Sequence, residues 1–381
     1  MNAQLKPHVL HWARQRAQMN EQALADKLKV SVEAVKDWEA TGSIPFPCVE
    51  QLAEVTFTPF GFLFLPEPPE EKLPINDFRR VHGTDVRKPP SPDLLDVIYQ
   101  CQRRQQWYRD YLISRGENKN PLVGKSTLKT PFEETAKDIR DTLKIGSALT
   151  ANVQEWDEAL RLSIENIESA GILVNRLGFA GGYTKRKLSV EEFRGFALCD
   201  DYAPLVFVNG ADIPAAQMFT LAHEVAHIWI GASGVFNLDE TYADAGDIET
   251  YCNRVAAEVL VPMSEFKAAW KTAYDSTGEI ERLAKKFRVS RVVIARRARD
   301  AGYVAGGHYH TLYNSEVNAA KKASGGNYYL SKPYQASRRF SVALIRDTRD
   351  GRTLFRDAMQ LLGIKKHDTF EKYAQSLQLE C

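Results

Sequence analysis

The run FTLAHEVAHIWIG constrains this chain more than any other part of it, because the spacing of His223, Glu224 and His227 makes chemical sense only on a helix. Residues four apart lie one above the other on a helical face, so both imidazoles can meet one ion. Such a helix has to pack against a second element that supplies the remaining ligand, so the motif already demands tertiary structure. Two imidazoles and one further protein ligand leave a coordination position open, the arrangement of a catalytic Zn²⁺ site as opposed to a closed structural one. Glu224, next to the first histidine, is the candidate general base: it can take a proton from an attacking water and pass it to the leaving amine. The competing reading is a chance HExxH whose histidines are merely buried and hydrogen-bonded. The apolar residues on both sides of the motif favour the helix and, with it, the metal site.

The later string GDIETYCNRVAAEVLVP offers two glutamates for the third position, and one helix cannot turn both inward. At about 100° per residue, Glu249, Asn253, Ala256 and Leu260 form a stripe flanked by Cys252 and Val259, while Glu258 falls about 180° away. Arg254 stands four residues before Glu258, the spacing of a surface ion pair. The spacing therefore selects Glu249 as the ligand. Asn253, one turn on, suits either the orientation of a ligand imidazole or simple helix packing. Asp244 and Asp247 precede the helix and suit loop capping better than ligation. Tyr242, Tyr303, His308 and His310 are candidates for stabilising an oxyanion, and the sequence does not choose among them.

Around this motif the chain reads as α+β and mainly helical. Residues 8–64 suit a bundle of short helices, with Ala23, Leu24, Leu28, Val30, Val35 and Trp38 spaced for two helices and a tight turn at 29–31, a helix-turn-helix pattern. Clustered prolines then forbid long helices. The expected organisation is a helix-turn-helix domain over 1–72, a proline-rich linker over 73–91, a metallopeptidase domain over 92–270 and a basic helical region over 271–381. Within the third part, helical patterns at DLLDVIYQCQRRQQWYRDYL, FEETAKDIRDTLKI and VQEWDEALRLSIENIESAG lead into ILVNRL. The segments FRGFALCD and APLVFVNG read as neighbouring strands of a small sheet. The HExxH helix is expected from Pro214 to Ile230, with Asp212 as its cap and Gly231 at its end.

Lys+Arg 50 against Asp+Glu 49 gives a formal net charge of +1, so no global field draws the chain to nucleic acid or an anionic membrane. Cys48, Cys101, Cys199, Cys252 and Cys381 are scattered and odd in number, which fits a reducing compartment better than a disulfide framework. No signal-peptide pattern or membrane-length apolar run occurs, so a cytoplasmic location without membrane association is expected.

At LVFVNGADIPAAQMFTLAHEVAHIWIG and IETYCNRVAAEVLVP the chain resembles the ImmA/IrrE family of zinc metallopeptidases, over roughly residues 170–265. The resemblance implies a zincin-like core, with His223 and His227 as Zn²⁺ ligands, Glu224 as the catalytic carboxylate and Glu249 matching the family's downstream glutamate. QALADKLKVSVEAVKDWEATGSIP resembles an XRE-type helix-turn-helix. Together they imply a bacterial or phage regulatory protease whose substrate is a protein such as a helix-turn-helix repressor or an antitoxin, with DNA and a toxin as further candidate partners. The alternative is a non-proteolytic antitoxin or DNA-binding regulator that keeps the zinc site for structure.

Two departures bear on DNA. The turn position usually occupied by glycine is Lys29. The would-be recognition helix VEAVKDWEA sets Glu33, Asp37 and Glu39 against Lys36 alone, a repulsive face for phosphate. The strongest positive field lies elsewhere, at Arg282, Lys285, Lys286, Arg288, Arg291, Arg296, Arg297 and Arg299, opposed only by Glu281 and Asp300. LAKKFRVSRVVIARRARDAG also has helix-turn-helix spacing, with Val289 and Ser290 at the turn. Lys285, Lys286, Arg288, Arg291, Arg296 and Arg297 are therefore candidate contacts for nucleic acid or an acidic partner, against the plainer reading of a helical face that covers the peptidase core.

Overall fold

A computed structural model describes residues 1–77, 89–150, 153, 155–182, 186–236, 247–271, 276–304 and 336–377. The chain divides into two compact units, Met1–Pro74 with Val86–Ile98 and Ile75–Asp85 with Tyr99–Cys381.

In the first unit a short strand β1 (Asn2–Gln4) precedes α1 (Pro7–Arg16), α2 (Glu21–Leu28), α3 (Val32–Thr41), β2 (Ser43–Pro45) and α4 (Phe46–Val55), and a 3₁₀ turn follows at Phe60–Phe64. The helix starts follow from local chemistry. Asn20 Oδ1 accepts from Ala23 N and Ser31 Oγ from Ala34 N, satisfying backbone donors that the first turns of α2 and α3 leave over. Between these helices Lys29 adopts φ +57°, the left-handed conformation where glycine is usual. Leu10, Leu24, Leu28, Val35, Ile44, Val49, Leu52 and Leu63 close the core. β1 and β2 pair antiparallel, a ladder too short to leave a periodic signal in the sequence.

The second unit holds a five-stranded mixed sheet in the order β3-β7-β5-β6-β4, formed by β3 (Asn76–Asp77), β4 (Leu173–Leu177), β5 (Gly195–Leu198), β6 (Leu205–Asn209) and β7 (Gly234–Phe236). β4 and β6 run parallel with Leu173 opposite Leu205, and β5 lies antiparallel between β6 and β7. All residues of β5 and β6 are buried, as expected of central strands covered on both faces. The helices are α5 (Pro92–Ser114), α6 (Phe132–Leu143), α7 (Ser147–Thr150), α8 (Trp156–Ser169), α9 (Pro214–Ile230), α10 (Asp247–Leu260), α11 (Met263–Ala269), α12 (Ser276–Phe287) and α13 (Arg291–Asp300). Three more, α14 (Arg338–Arg349), α15 (Phe355–Leu362) and α16 (His367–Ser376), follow. A single apolar core joins α6, α8, α9, α10, α12 and α13 to the sheet, through Ile139, Ile164, Val206, Leu221, Val225, Val255, Leu283 and Ile294 among others. Among the described residues no helix is long and apolar enough to cross a membrane.

The α9 bounds follow from proline in its first turn and Gly231 at φ +69° after its last. Asp212 does not cap it. The residue before the first turn is Ile213, and Asp212 is instead drawn into a buried ion pair with Arg194, a stronger partner than one backbone amide. The last part of the region expected to be helical forms two helices, separated at Gly363 with φ +66°. Residues 306–314 and 325–334, rich in Gly and Tyr, lie outside the described residues.

Candidate metal centre

α9 lies against β5 and β6 on one side and α10 on another, and it is buried almost all round. The facing sides of α9 and α10 bring His223, His227 and Glu249 together. His223 Nε2 stands 3.1 Å from Glu249 Oε2, His227 Nε2 3.1 Å from Glu249 Oε1, and the two Nε2 atoms 3.1 Å from each other. The other nitrogen of each ring faces outward from this point. His227 Nδ1 donates to Ala232 O at 3.1 Å, and since a carbonyl can only accept, the proton is on Nδ1. His223 Nδ1 donates to Asn253 Oδ1 at 3.1 Å. In the neutral imidazoles both Nε2 lone pairs therefore converge with two carboxylate oxygens. A cation relieves that convergence of acceptors, and the donor set and spacing fit Zn²⁺.

Burial shapes the charges. Glu249 would be raised by desolvation, but the imidazoles of His223 and His227 hold its carboxylate down at about 2. Desolvation depresses His223. It works on His227 too, where neighbouring Cys252 and Glu249 outweigh it and raise the group. These opposite directions leave the two imidazoles unequal in their hold on a proton beside the Glu249 carboxylate.

Glu224 is the adjacent side chain and it is fully buried, which pushes its carboxyl well above the ordinary range. Among the described residues neither oxygen has a hydrogen-bond partner. Across from it, Gly195 begins β5; a Cβ built there would stand 2.8 Å from Glu224 Oε1 and 2.5 Å from Thr220 Cγ2. Only glycine lets the strand approach this closely. That residue escaped the sequence reading, although a glycine isolated in a strand pattern is its signal. Ala232 O escaped as well, and a main-chain carbonyl leaves no signal.

The remaining candidates are distributed as follows. Asn253 touches His223 directly. Tyr303 packs with Phe266 and Trp270, an aromatic cluster. Asp247 opens α10. Tyr242, Asp244, His308 and His310 lie outside the described residues. Glu258 points away from the trio, yet it is no surface partner of Arg254. Its carboxylate is buried against Arg297 Nη2 at 2.5 Å and accepts from Met263 N, while Arg254 covers the ring of Phe132. This corrects the reading of Arg297 as a candidate contact for nucleic acid, because its guanidinium also donates to Val261 O and is 4% exposed. Of the other basic candidates Lys285 and Lys286 are exposed, Arg291 and Arg296 are half-buried, and Arg288 is tied to Val153 O and Lys285 O. α12 and α13 spend much of their charge on backbone acceptors and their apolar faces on the core.

The site is thus a helix pair presenting two imidazoles, a bridging-capable carboxylate and a second, acid-raised carboxyl: the donor set of a metal-dependent hydrolase. Residues 167–299 match the Peptidase_M78 family model, described as an IrrE N-terminal-like domain. Residues 336–376, which hold α14 to α16, match a domain of unknown function, DUF8813. No curated protein matches the chain.

Proposed function

We propose that the domain at 167–299 is a zinc-dependent endopeptidase that cuts a regulatory protein, a helix-turn-helix repressor or an antitoxin, in a bacterial or phage control system. The observation that carries the catalytic part is the convergence of His223, His227 and Glu249 with the unpaired carboxyl of Glu224 beside them. His223, His227 and Glu249 would hold one Zn²⁺, which would supply a Lewis acid to polarise a peptide carbonyl. Asn253 and Ala232 O fix the tautomer and tilt of the two imidazoles. Glu224 then moves the proton: its oxygens, with no protein donor to satisfy them, accept one from the attacking water and return it to the departing amine nitrogen. Burial raises its carboxyl toward the working pH, the direction a residue needs that must both take and give. The substrate class rests on the resemblance of the N-terminal unit to an XRE-type module.

The alternative, a non-proteolytic antitoxin or DNA-binding regulator that keeps the ion for structure, has one observation on its side. His223, Glu224 and His227 are 0% exposed and Glu249 2%. Charge in the N-terminal unit does not favour DNA. Glu39 is neutralised by Arg14 at 2.6 Å, but Glu33 and Asp37 remain exposed beside Lys36 on α3.

Glu224→Gln separates the readings. That protein should bind one Zn²⁺ per chain and retain on a column a protein that the wild type releases as two fragments. Zinc-free wild type after gentle purification, or cleavage by Glu224→Gln, would remove the proposal. A folded His223→Ala protein that still binds its partner but has lost biological action would remove the binding-only alternative.

A further inference from the structure

The match to a domain of unknown function covers α14 to α16, and the first of these helices helps to build a second site in the same unit. A cavity of about 650 Å³ lies between α5, the C-terminal turn of α8 and α14. Four arginines line it: Arg115 just after α5, and Arg338, Arg339 and Arg346 from α14. Their partners decide what the cavity can hold. Arg115 is paired with Asp347 at 3.3 Å. Arg338 Nη2 donates to Leu377 O, and Arg339 donates through Nε to Tyr108 Oη at 2.8 Å and through Nη1 to Glu168 O. These acceptors are neutral, so they orient two guanidiniums without compensating their charge.

The carboxylates on the walls form no ion pair with Arg338, Arg339 or Arg346 among the described residues. Glu168, 6% exposed, accepts from the backbone nitrogens of Arg338 and Arg339. Glu165 is engaged by Arg161 at 2.9 Å, and Glu117 is exposed. Among the described residues Arg338, Arg339 and Arg346 have no ion-pair partner. Holding three guanidiniums around one cavity is unfavourable by mutual repulsion, and an anion with several acceptor oxygens reverses the sign. The fork geometry of arginine matches such oxygens two at a time. Leu112, Val342 and Ala343 add an apolar wall, and the volume is that of a small-molecule pocket.

We propose that this cavity binds a phosphorylated small molecule of nucleotide size, with the phosphate on Arg338, Arg339 and Arg346 and the remainder of the ligand on the apolar wall. The site is independent of the zinc-peptidase reading. A pocket of this volume favours a free metabolite over a polymer, since a nucleic-acid backbone needs a track of cations that continues beyond one pocket. The ligand would also reach the metal domain through one element, because α8 packs on α9 as well as on α14.

Calorimetric titration of the full-length protein with AMP, ATP and pyrophosphate, with adenosine and a twelve-nucleotide single strand for comparison, tests this. Saturable one-site binding of a phosphorylated probe, none of adenosine, and about a tenfold or greater loss in Arg346→Glu with Arg346→Lys between the two would support it. Arg346 is exposed, so neither variant threatens the fold. Absence of saturable binding by every phosphorylated probe, or affinity unchanged in Arg346→Glu, would overturn it. Tighter binding of the single strand than of any mononucleotide would overturn it too, by making the surface a nucleic-acid face.

Discussion

Glu224 sits where a charge is costly: it is fully buried, and among the described residues neither carboxylate oxygen has a donor. Its folded-state pKa lies well above the ordinary 4.5, so the group favours folding only while protonated. That contribution is complete below about pH 4.5 and is lost as pH rises through the folded value. Above about pH 4.5 the wild type loses it progressively, whereas Glu224→Gln never carries the charge. Urea denaturation in chelator at pH 7 should therefore show the variant more stable by about 1–3 kcal/mol, with the gap closing toward pH 4. A variant less stable at both pH values would contradict the burial argument. Asn253 provides the second test at this scale. Asn253→Leu frees His223 Nδ1 from its acceptor and should weaken Zn²⁺ binding about 10–100-fold in a competition titration with a chromophoric chelator. Glu249 and Asn253 were legible because helical angle alone separates them from Glu258. The buried pairing of Glu258 with Arg297 was not, since 39 residues and two intervening helices separate them in sequence.

That pairing sets the argument at the scale of elements. Glu258, near the end of α10, binds Arg297 of α13, and Arg140 of α6 donates to Glu258 O at 2.6 Å. Three helices are thereby clamped at the end of the helix that carries Glu249. Arg297→Ala would leave the Glu258 carboxylate buried and short of a partner, and should cost about 3–5 kcal/mol in denaturant unfolding. Lys285→Ala, on the exposed side of the neighbouring α12, should stay within about 0.5 kcal/mol. Equal effects would mean that the clamp adds nothing beyond surface charge. The long elements were readable for physical reasons: α9 is bracketed by proline and glycine, and β5 and β6 are dense in apolar and aromatic residues. β1, β2, β3 and β7 are two or three residues long and gain their partners from distant segments, so no local pattern marks them. α14 falls within the region expected to be helical, but its bounds were not readable for a different reason. Its sequence RRFSVALIRDTR is rich in arginine, and its helical face becomes evident only against the buried Phe340, Leu344 and Ile345.

At the scale of the whole molecule, the metal should stabilise one unit and not the other. The first unit closes its own core from α1 to α4 and holds Arg14 against Glu39 within it, without reference to the ligand trio. The trio lies in the second unit, where α9 and α10 also carry much of the apolar core, so an ion that binds only the folded site stabilises that core directly. Free Zn²⁺ at one hundred times its dissociation constant should add about 2.7 kcal/mol to the opening of that unit. Because the ligand imidazoles must shed the proton that balances Glu249, the gain should shrink as pH falls from 7 to 5. Hydrogen exchange with and without Zn²⁺ reads both statements at once. Peptides from α9 and α10 should gain protection with the ion, more at pH 7 than at pH 5 after correction for intrinsic rates, while peptides from α1 to α4 should exchange as before. Protection gained equally in both units would mean that they unfold as one cooperative body, and protection gained in neither would mean that the trio holds no metal.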